Sequence, residues 1–351
     1  MRKFRPILIA GKTTMNGNDL RQCLRMALGG TLGFLLCKLM NWNYGAFFTV
    51  MPIFLLGMVP RLVPHVIRQY LGAVLLVVPV ILLVQGIFGD KPVPMTLLMM
   101  ALFALLFREM SRGVNLLFGA LGVVSLSMML NFASYPGANV SDIIASFLMS
   151  TATTLLICNL MHILLPDVEP RAPRPACTKT ASSRRHEVIL ATTVATLSFV
   201  TFQVFDLPTS LSAQIASLLV VFPMSWRGAI PSAWNRTLGT LVGCNAGLVI
   251  QFVLMTHFDV LPFITMGLWI SLLVFGRYHM LEGGPSGAGF AAVTTMAILF
   301  GQYVTPERDL FFSDLYRFSS LAVAVLISLM VVFVMDRLLN RFESTRWEAP
   351  A

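Results

Sequence analysis

Apolar runs long enough to cross a bilayer recur along nearly the whole chain, separated by short polar breaks. Twelve are read, over residues 22–40, 42–59, 66–88, 93–108, 113–132, 143–165, 187–205, 209–225, 234–256, 260–276, 285–302 and 315–337. The pattern predicts an all-α polytopic membrane protein with about twelve transmembrane helices. Breaks at Asn41–Asn43 and Asp206–Thr209 are short enough to predict tight hairpins. The stretch 167–186 is rich in Pro, Arg and Ser and reads as a linker. The expected organisation is an N-terminal segment 1–21, a first six-helix segment 22–166, the linker 167–186, a second six-helix segment 187–337 and a tail 338–351.

One stretch, 226–257, organises this pattern. Arg227, Asn235 and Arg236 precede an apolar run carrying Gly239, Gly243 and Gly247. Glycines at i, i+4 and i+8 share a helical face, and in lipid such a face lets a second helix approach closely. A similar arrangement, Pro60, Arg61, His65 and Arg68 followed by Gly72, lies about 167 positions earlier. The chain is therefore read as two related halves. Six spans per half leave both halves in the same orientation, so the repeat is parallel, about an axis along the membrane normal.

Composition agrees with this reading. Of 351 residues, 56% are hydrophobic and 12% charged, against about 25% charged in soluble domains. A net charge of +9 raises the question of nucleic acid, but the cations are spread through short loops, as orientation signals are. With twelve spans, only Lys38, Lys91, Arg308 and Arg317 of the 25 Lys and Arg fall opposite the termini. The positive-inside rule then places both termini in the cytoplasm. No cleavable signal peptide is expected at the start.

Enzyme chemistry finds little footing. The five cysteines have neither zinc nor disulfide spacing, and no two of the five histidines pair at i, i+3 or i+4. No catalytic residue, metal site or cofactor is expected. Ala10–Thr14 resembles the end of a phosphate-binding loop, but Pro6 stands where that loop needs its first glycine. Gly283–Gly289 reads as a close-packed helix entrance or, alternatively, as a helix N-terminus facing an anion.

The informative charges lie at span ends. Arg61, Arg68, Arg227, Asn235 and Arg236 are expected to line a cytoplasmic vestibule that gathers anions. The competing reading makes the arginines orientation signals that snorkel to headgroups. Asp142, His162 and Asp206 are the candidates for a coupling proton, and Gly72, Gly239, Gly243 and Gly247 for helix packing.

The run Arg236-Thr237-Leu238-Gly239-Thr240-Leu241-Val242-Gly243, opening the third span of its half, resembles the fusaric-acid-resistance and aromatic-acid-exporter superfamily, in its compact bacterial branch. The first-half copy, Arg68 to Gly72, lacks the Thr and the second Gly. The resemblance implies a proton-driven inner-membrane efflux component for aromatic carboxylic acids or related toxic compounds. It also implies a periplasmic membrane-fusion (HlyD-like) adaptor and an outer-membrane channel as partners. Larger members carry a cytosolic domain after each half; here a linker of 20 residues and a tail of 14 stand in those places. A passive anion channel and a structural subunit that scaffolds the adaptor are the alternatives, and homo-oligomerisation is left open. The expected partners are thus a small organic anion and the lipid bilayer, without nucleic acid.

The orientation is directly testable. A reporter fused after Ala351, or inserted near Thr178, should give a cytoplasmic signal, and one near Gly137 a periplasmic signal. A periplasmic signal at Thr178 would contradict the twelve-span reading.

Overall fold

The computed structural model describes residues 12, 14–88, 91–133, 139–171, 179–205, 211–254, 257, 260–284, 286–303 and 310–348. These residues form twelve α-helices and no strand: α1 (Gly17–Leu39), α2 (Gly45–Met58), α3 (Pro64–Leu83), α4 (Pro92–Arg112), α5 (Leu116–Ala133), α6 (Val140–Leu164), α7 (Ala181–Val204), α8 (Leu211–Val221), α9 (Trp226–Val253), α10 (Leu261–Glu282), α11 (Ala288–Tyr303) and α12 (Leu310–Leu339). A π-helical turn, Val84–Phe88, extends α3.

Among the described residues, six helices are long and apolar enough to cross a membrane: α3 with its π turn, α4, α6, α7, α10 and α12 from Phe318; α1 and α9, over the expected spans 22–40 and 234–256, are long but not among them. The chain is a multi-pass membrane protein. Four expected spans, 42–59, 113–132, 209–225 and 285–302, correspond to α2, α5, α8 and α11, which are apolar but shorter. At ~1.5 Å rise per residue, their described lengths fall short of a hydrocarbon core of about 30 Å. They are also interior helices. Every residue of α8, and all of α2 except its first and last, is buried. A helix apolar all round is stable only when neighbours cover it, so these four form inner layers.

The chain divides into two compact units that do not coincide with its sequential halves. Unit 1 comprises residues 1–62, 150–171 and 234–318; unit 2 comprises 63–149, 172–233 and 319–351. In unit 1, α1 packs on α2 and α10, and α11 packs on α2 and α10. In unit 2, α4 packs on α5 and α7, and α8 packs on α7 and α5, with α3 against α5. Advancing each helix number by six, cyclically, turns the four pairs of unit 1 into four pairs of unit 2. Each unit thus combines helices from both halves of the sequence.

Several boundaries differ from expectation for local reasons. The α1–α2 hairpin falls where the sequence placed it, closed by left-handed Asn41 and Tyr44, with Trp42 stacked on Phe48. The second expected hairpin, 206–209, lies outside the described residues. Helix α7 begins at Ala181, with Thr180 as its N-cap accepting from the Ser183 amide, so the end of the linker is helical. Helix α9 begins at Trp226 and includes Pro231; Trp226 to Ala233 is helix rather than a turn before one.

Glycine lets helices meet closely within unit 1. A Cβ on Gly239 would run into the Ala288 carbonyl oxygen and the Ala291 side chain of α11. One on Gly243 would lie 3.0 Å from Thr295 Cβ and 3.1 Å from the Ala292 carbonyl oxygen. Gly247 is buried on the same helix. Gly72, in unit 2, is looser: its Cβ would lie 3.4 Å from the Phe118 ring, a side chain that can yield. Gly243→Leu should therefore cost about 1–3 kcal/mol by overpacking. Detergent stability should fall well below that of Leu241→Ala, whose side chain is 37% exposed. Equal melting of the two variants would contradict the α9–α11 contact.

Candidate functional site

Helix geometry separates the two arginines that the sequence places side by side. Arg227 and Arg236 are nine residues apart on one helix, so at about 100° per residue they project from opposite sides. Arg227 is exposed and belongs to unit 2, whereas Arg236 is 4% exposed and belongs to unit 1. Arg61 lies in unit 1 and Arg68, exposed, in unit 2. Of the five expected vestibule residues, Arg61, Asn235 and Arg236 thus lie in unit 1, and Arg68 and Arg227 in unit 2.

Arg236 enters a compact cluster. Its Nη1 donates to Thr294 Oγ1 at 3.3 Å, and its guanidinium carbon lies 5.8 Å from the Phe290 ring centroid. Phe290, fully buried, also meets His279, with ring centroids 4.8 Å apart, and Phe54 edge-on at 5.3 Å. His279 is 3% exposed and donates through Nε2 to the Gly57 carbonyl at 3.1 Å. Asn235 Nδ2 donates to the Ser286 carbonyl at 3.1 Å, tying α9 to the entrance of α11.

That entrance, Gly283–Gly289, carries its own anion. Glu282 Oε2 accepts from the Gly289 amide at 2.8 Å, and a Cβ on Gly287 would run into the Glu282 carboxylate. The α11 N-terminus is therefore occupied by Glu282. Gly289 passes so close to α10 that a Cβ there would strike the His279 backbone. This approach sets Phe290, the next residue, against the His279 ring. The sequence gives no signal for His279 or Phe290, because their significance depends on the α10–α11 turn.

A second centre in unit 1 lies where the sequence predicts linker. Asp167, 6% exposed at its side chain, accepts from Arg25 Nη2 at 2.5 Å and Arg171 Nε at 3.1 Å. Arg61 Nε approaches at 3.5 Å, although that side chain is 51% exposed. Arg171 also donates to Gln22 Oε1, and Asn18 Oδ1 accepts the Val168 amide. Residues 167–171 are thus fastened to α1. Burial would raise the Asp167 carboxyl, but the Arg171 hydrogen bond and the Arg25 and Arg171 charges outweigh it and hold it below the usual carboxylate range.

Arg227 takes part in a third feature, within unit 2. It lines a cavity of about 320 Å³ with Trp226, Asp336, Arg337, Asn340 and Trp347. Its guanidinium carbon lies 5.9 Å from the Trp347 ring centroid. Asp336 is engaged from below by buried His186 at 3.3 Å.

Of the three proton-coupling candidates, two fall among the described residues, one in each unit. Asp142 is half-buried in the first turn of α6, its amide donating to Asn139 Oδ1 at 3.3 Å. His162 donates through Nδ1 to its own helix's Cys158 carbonyl at 2.7 Å, and Asp206 lies outside the described residues. Lys12, of the apparent phosphate loop, pairs with Asp19 at 2.9 Å. Among the described residues, no three His, Cys, Asp or Glu side chains gather as metal ligands would.

Two family models divide the chain at nearly equal length. Residues 193–331 match the fusaric acid resistance protein-like family, and residues 22–161 match a protein family of unknown function, DUF2955. No curated protein and no solved structure matches the chain. The second half therefore carries a fusaric-acid-resistance-like domain, consistent with the resemblance read from its Arg236–Gly243 motif, and that domain suggests a membrane transport or resistance role.

The Asp167 centre has a testable pH signature. Asp167→Asn leaves buried Arg25 without its carboxylate, a loss of about 3–5 kcal/mol. A carboxyl held low in the folded state stabilises fully above its unfolded value near 3.9, and the effect disappears as pH falls through the lowered value. The melting difference between wild type and Asp167→Asn in detergent should therefore be full at neutral pH and shrink only below about pH 4. A difference that vanished already near pH 6 would contradict this assignment.

Proposed function

We propose that this chain is the membrane component of an efflux system for organic anions, aromatic carboxylic acids being the class its chemistry suits best. The observation that carries the reading is the burial of Arg236 against Phe290 and His279. A guanidinium held 4% exposed inside a protein carries a desolvation cost, and buried cations of this kind typically mark functional sites. Arg236 offers a planar fork for a carboxylate, and Phe290 an aromatic face for the ring that bears it. The fusaric-acid-resistance-like domain at 193–331 supports transport rather than catalysis.

The architecture is read as two parallel six-helix repeats that exchange helical pairs. Support comes from the near-equal family segments and from packing pairs that recur when helix numbers advance by six. In this reading Arg236 is a recognition residue inside the protein rather than a vestibule cation. His279, whose ring meets Phe290, becomes the proton carrier in place of Asp142, His162 or Asp206. Because the cluster is buried, substrate reaches it in a second conformation, as alternating access requires. The protein works in the bacterial inner membrane with cytoplasmic termini, and hands substrate to a periplasmic adaptor and outer-membrane channel.

The test uses efflux of a panel of aromatic acids from energised cells, with membrane fractions blotted in parallel. Arg236→Lys keeps the charge but loses the bidentate fork, so it should insert normally and export more slowly. Arg236→Ala should lose about ten- to a hundredfold in apparent affinity, as a charge-assisted contact of about 1.5–3 kcal/mol implies. A protonophore should abolish export by wild type. Normal export by well-inserted Arg236→Ala would refute the recognition role; export indifferent to the protonophore would favour a passive channel.

A further inference from the structure

Unit 2 holds a pocket that four arginines line. Arg108 and Arg112, near the end of α4, meet Arg184 and Arg185, near the start of α7, around a cavity of about 320 Å³ floored by Val188 and Ile189. The helices are fastened together just beneath it. Ser111 Oγ donates to Glu187 Oε2 at 2.6 Å, and Lys179 Nζ reaches the same oxygen at 2.8 Å. Glu187 is therefore already compensated. Arg112 pairs with Glu109 at 2.7 Å, while Arg108, Arg184 and Arg185 make no ion pair among the described residues. Four arginine side chains thus line one concave site, three of them without an ion pair among the described residues.

The site's place on the molecule identifies what it faces. Both α4 and α7 are apolar enough to cross the membrane, and the arginines cap the ends of these spans, at headgroup depth. Below them, Leu97 and Leu105 of α4 and Ile189 and Leu197 of α7 stand exposed. An apolar track running up to a cationic pocket matches an amphiphile with acyl chains and an anionic head. A soluble anion would use the pocket and leave the track unused. We infer that this pocket binds the phosphate headgroup of an anionic phospholipid, with its acyl chains along α4 and α7. Arginine forks suit phosphate oxygens, and basic pockets between membrane helices are known to hold such headgroups.

The experiment is native mass spectrometry of the full-length protein in detergent, titrated with phosphatidylglycerol, phosphatidylcholine or glycerol 3-phosphate. Phosphatidylglycerol should bind at least tenfold tighter than phosphatidylcholine. Arg184→Gln/Arg185→Gln should weaken it roughly thirtyfold, at about 1 kcal/mol per arginine near the membrane surface. Arg341→Gln/Arg346→Gln, which removes the same charge from the exposed tail, should bind like wild type. If the first double variant does not purify, Arg108→Gln alone should still bind roughly fivefold more weakly. Unchanged binding by the pocket variants, or an equal loss in the tail variant, would overturn the site. Displacement of phosphatidylglycerol by equimolar glycerol 3-phosphate would overturn the lipid assignment in favour of a soluble phosphate.

Discussion

A buried guanidinium sets the terms for unit 1. Arg236 is 4% exposed, and a charge taken out of water must be met by dipoles and polarisable faces. Thr294 and Phe290 of α11 meet it, and they can do so because α11 lies close against α9. That closeness rests on Gly239, where any side chain would strike α11, and on Gly243, where a Cβ would already be tight against Thr295. The α10–α11 turn, closed by Glu282 on the Gly289 amide, holds Phe290 near both Arg236 and His279. Packing, capping and charge are therefore one arrangement, in which loosening any part moves the aromatic ring that all of them share.

The same logic explains why the helices have unequal lengths. The short apolar helices α2, α5, α8 and α11 are interior, and α11 supplies the partners of Arg236. Longer helices such as α3 and α12 carry the exposed apolar side chains Leu75, Leu82, Leu326 and Met330 that suit lipid.

Helix existence could be read from the sequence because apolar length is a one-dimensional property; the partnerships could not. The Arg227–Arg236 pairing looked local, yet starting α9 at Trp226 puts the two on opposite faces. Pro231 and the flanking polar residues disguised that start. Asp167 read as linker because its partners Arg25 and Arg61 are distant in sequence and only folding brings them to it. Glu282 was one of several acids near a span end, and nothing in its neighbours announced that it would cap α11. The glycine spacing of α9 was plain, whereas the helix it faces belongs to three-dimensional structure.

The central claim is that the Arg236 cluster recognises negative charge on an aromatic ligand. It is tested most directly by equilibrium binding of benzoate and of benzamide, its uncharged isostere, to purified wild-type protein and Arg236→Gln. Wild type should prefer benzoate by at least about tenfold, the lower bound for a charge-assisted contact, and Arg236→Gln should bind the two alike. Equal binding of benzoate and benzamide by the wild-type protein, or an undiminished benzoate preference in Arg236→Gln, would contradict it.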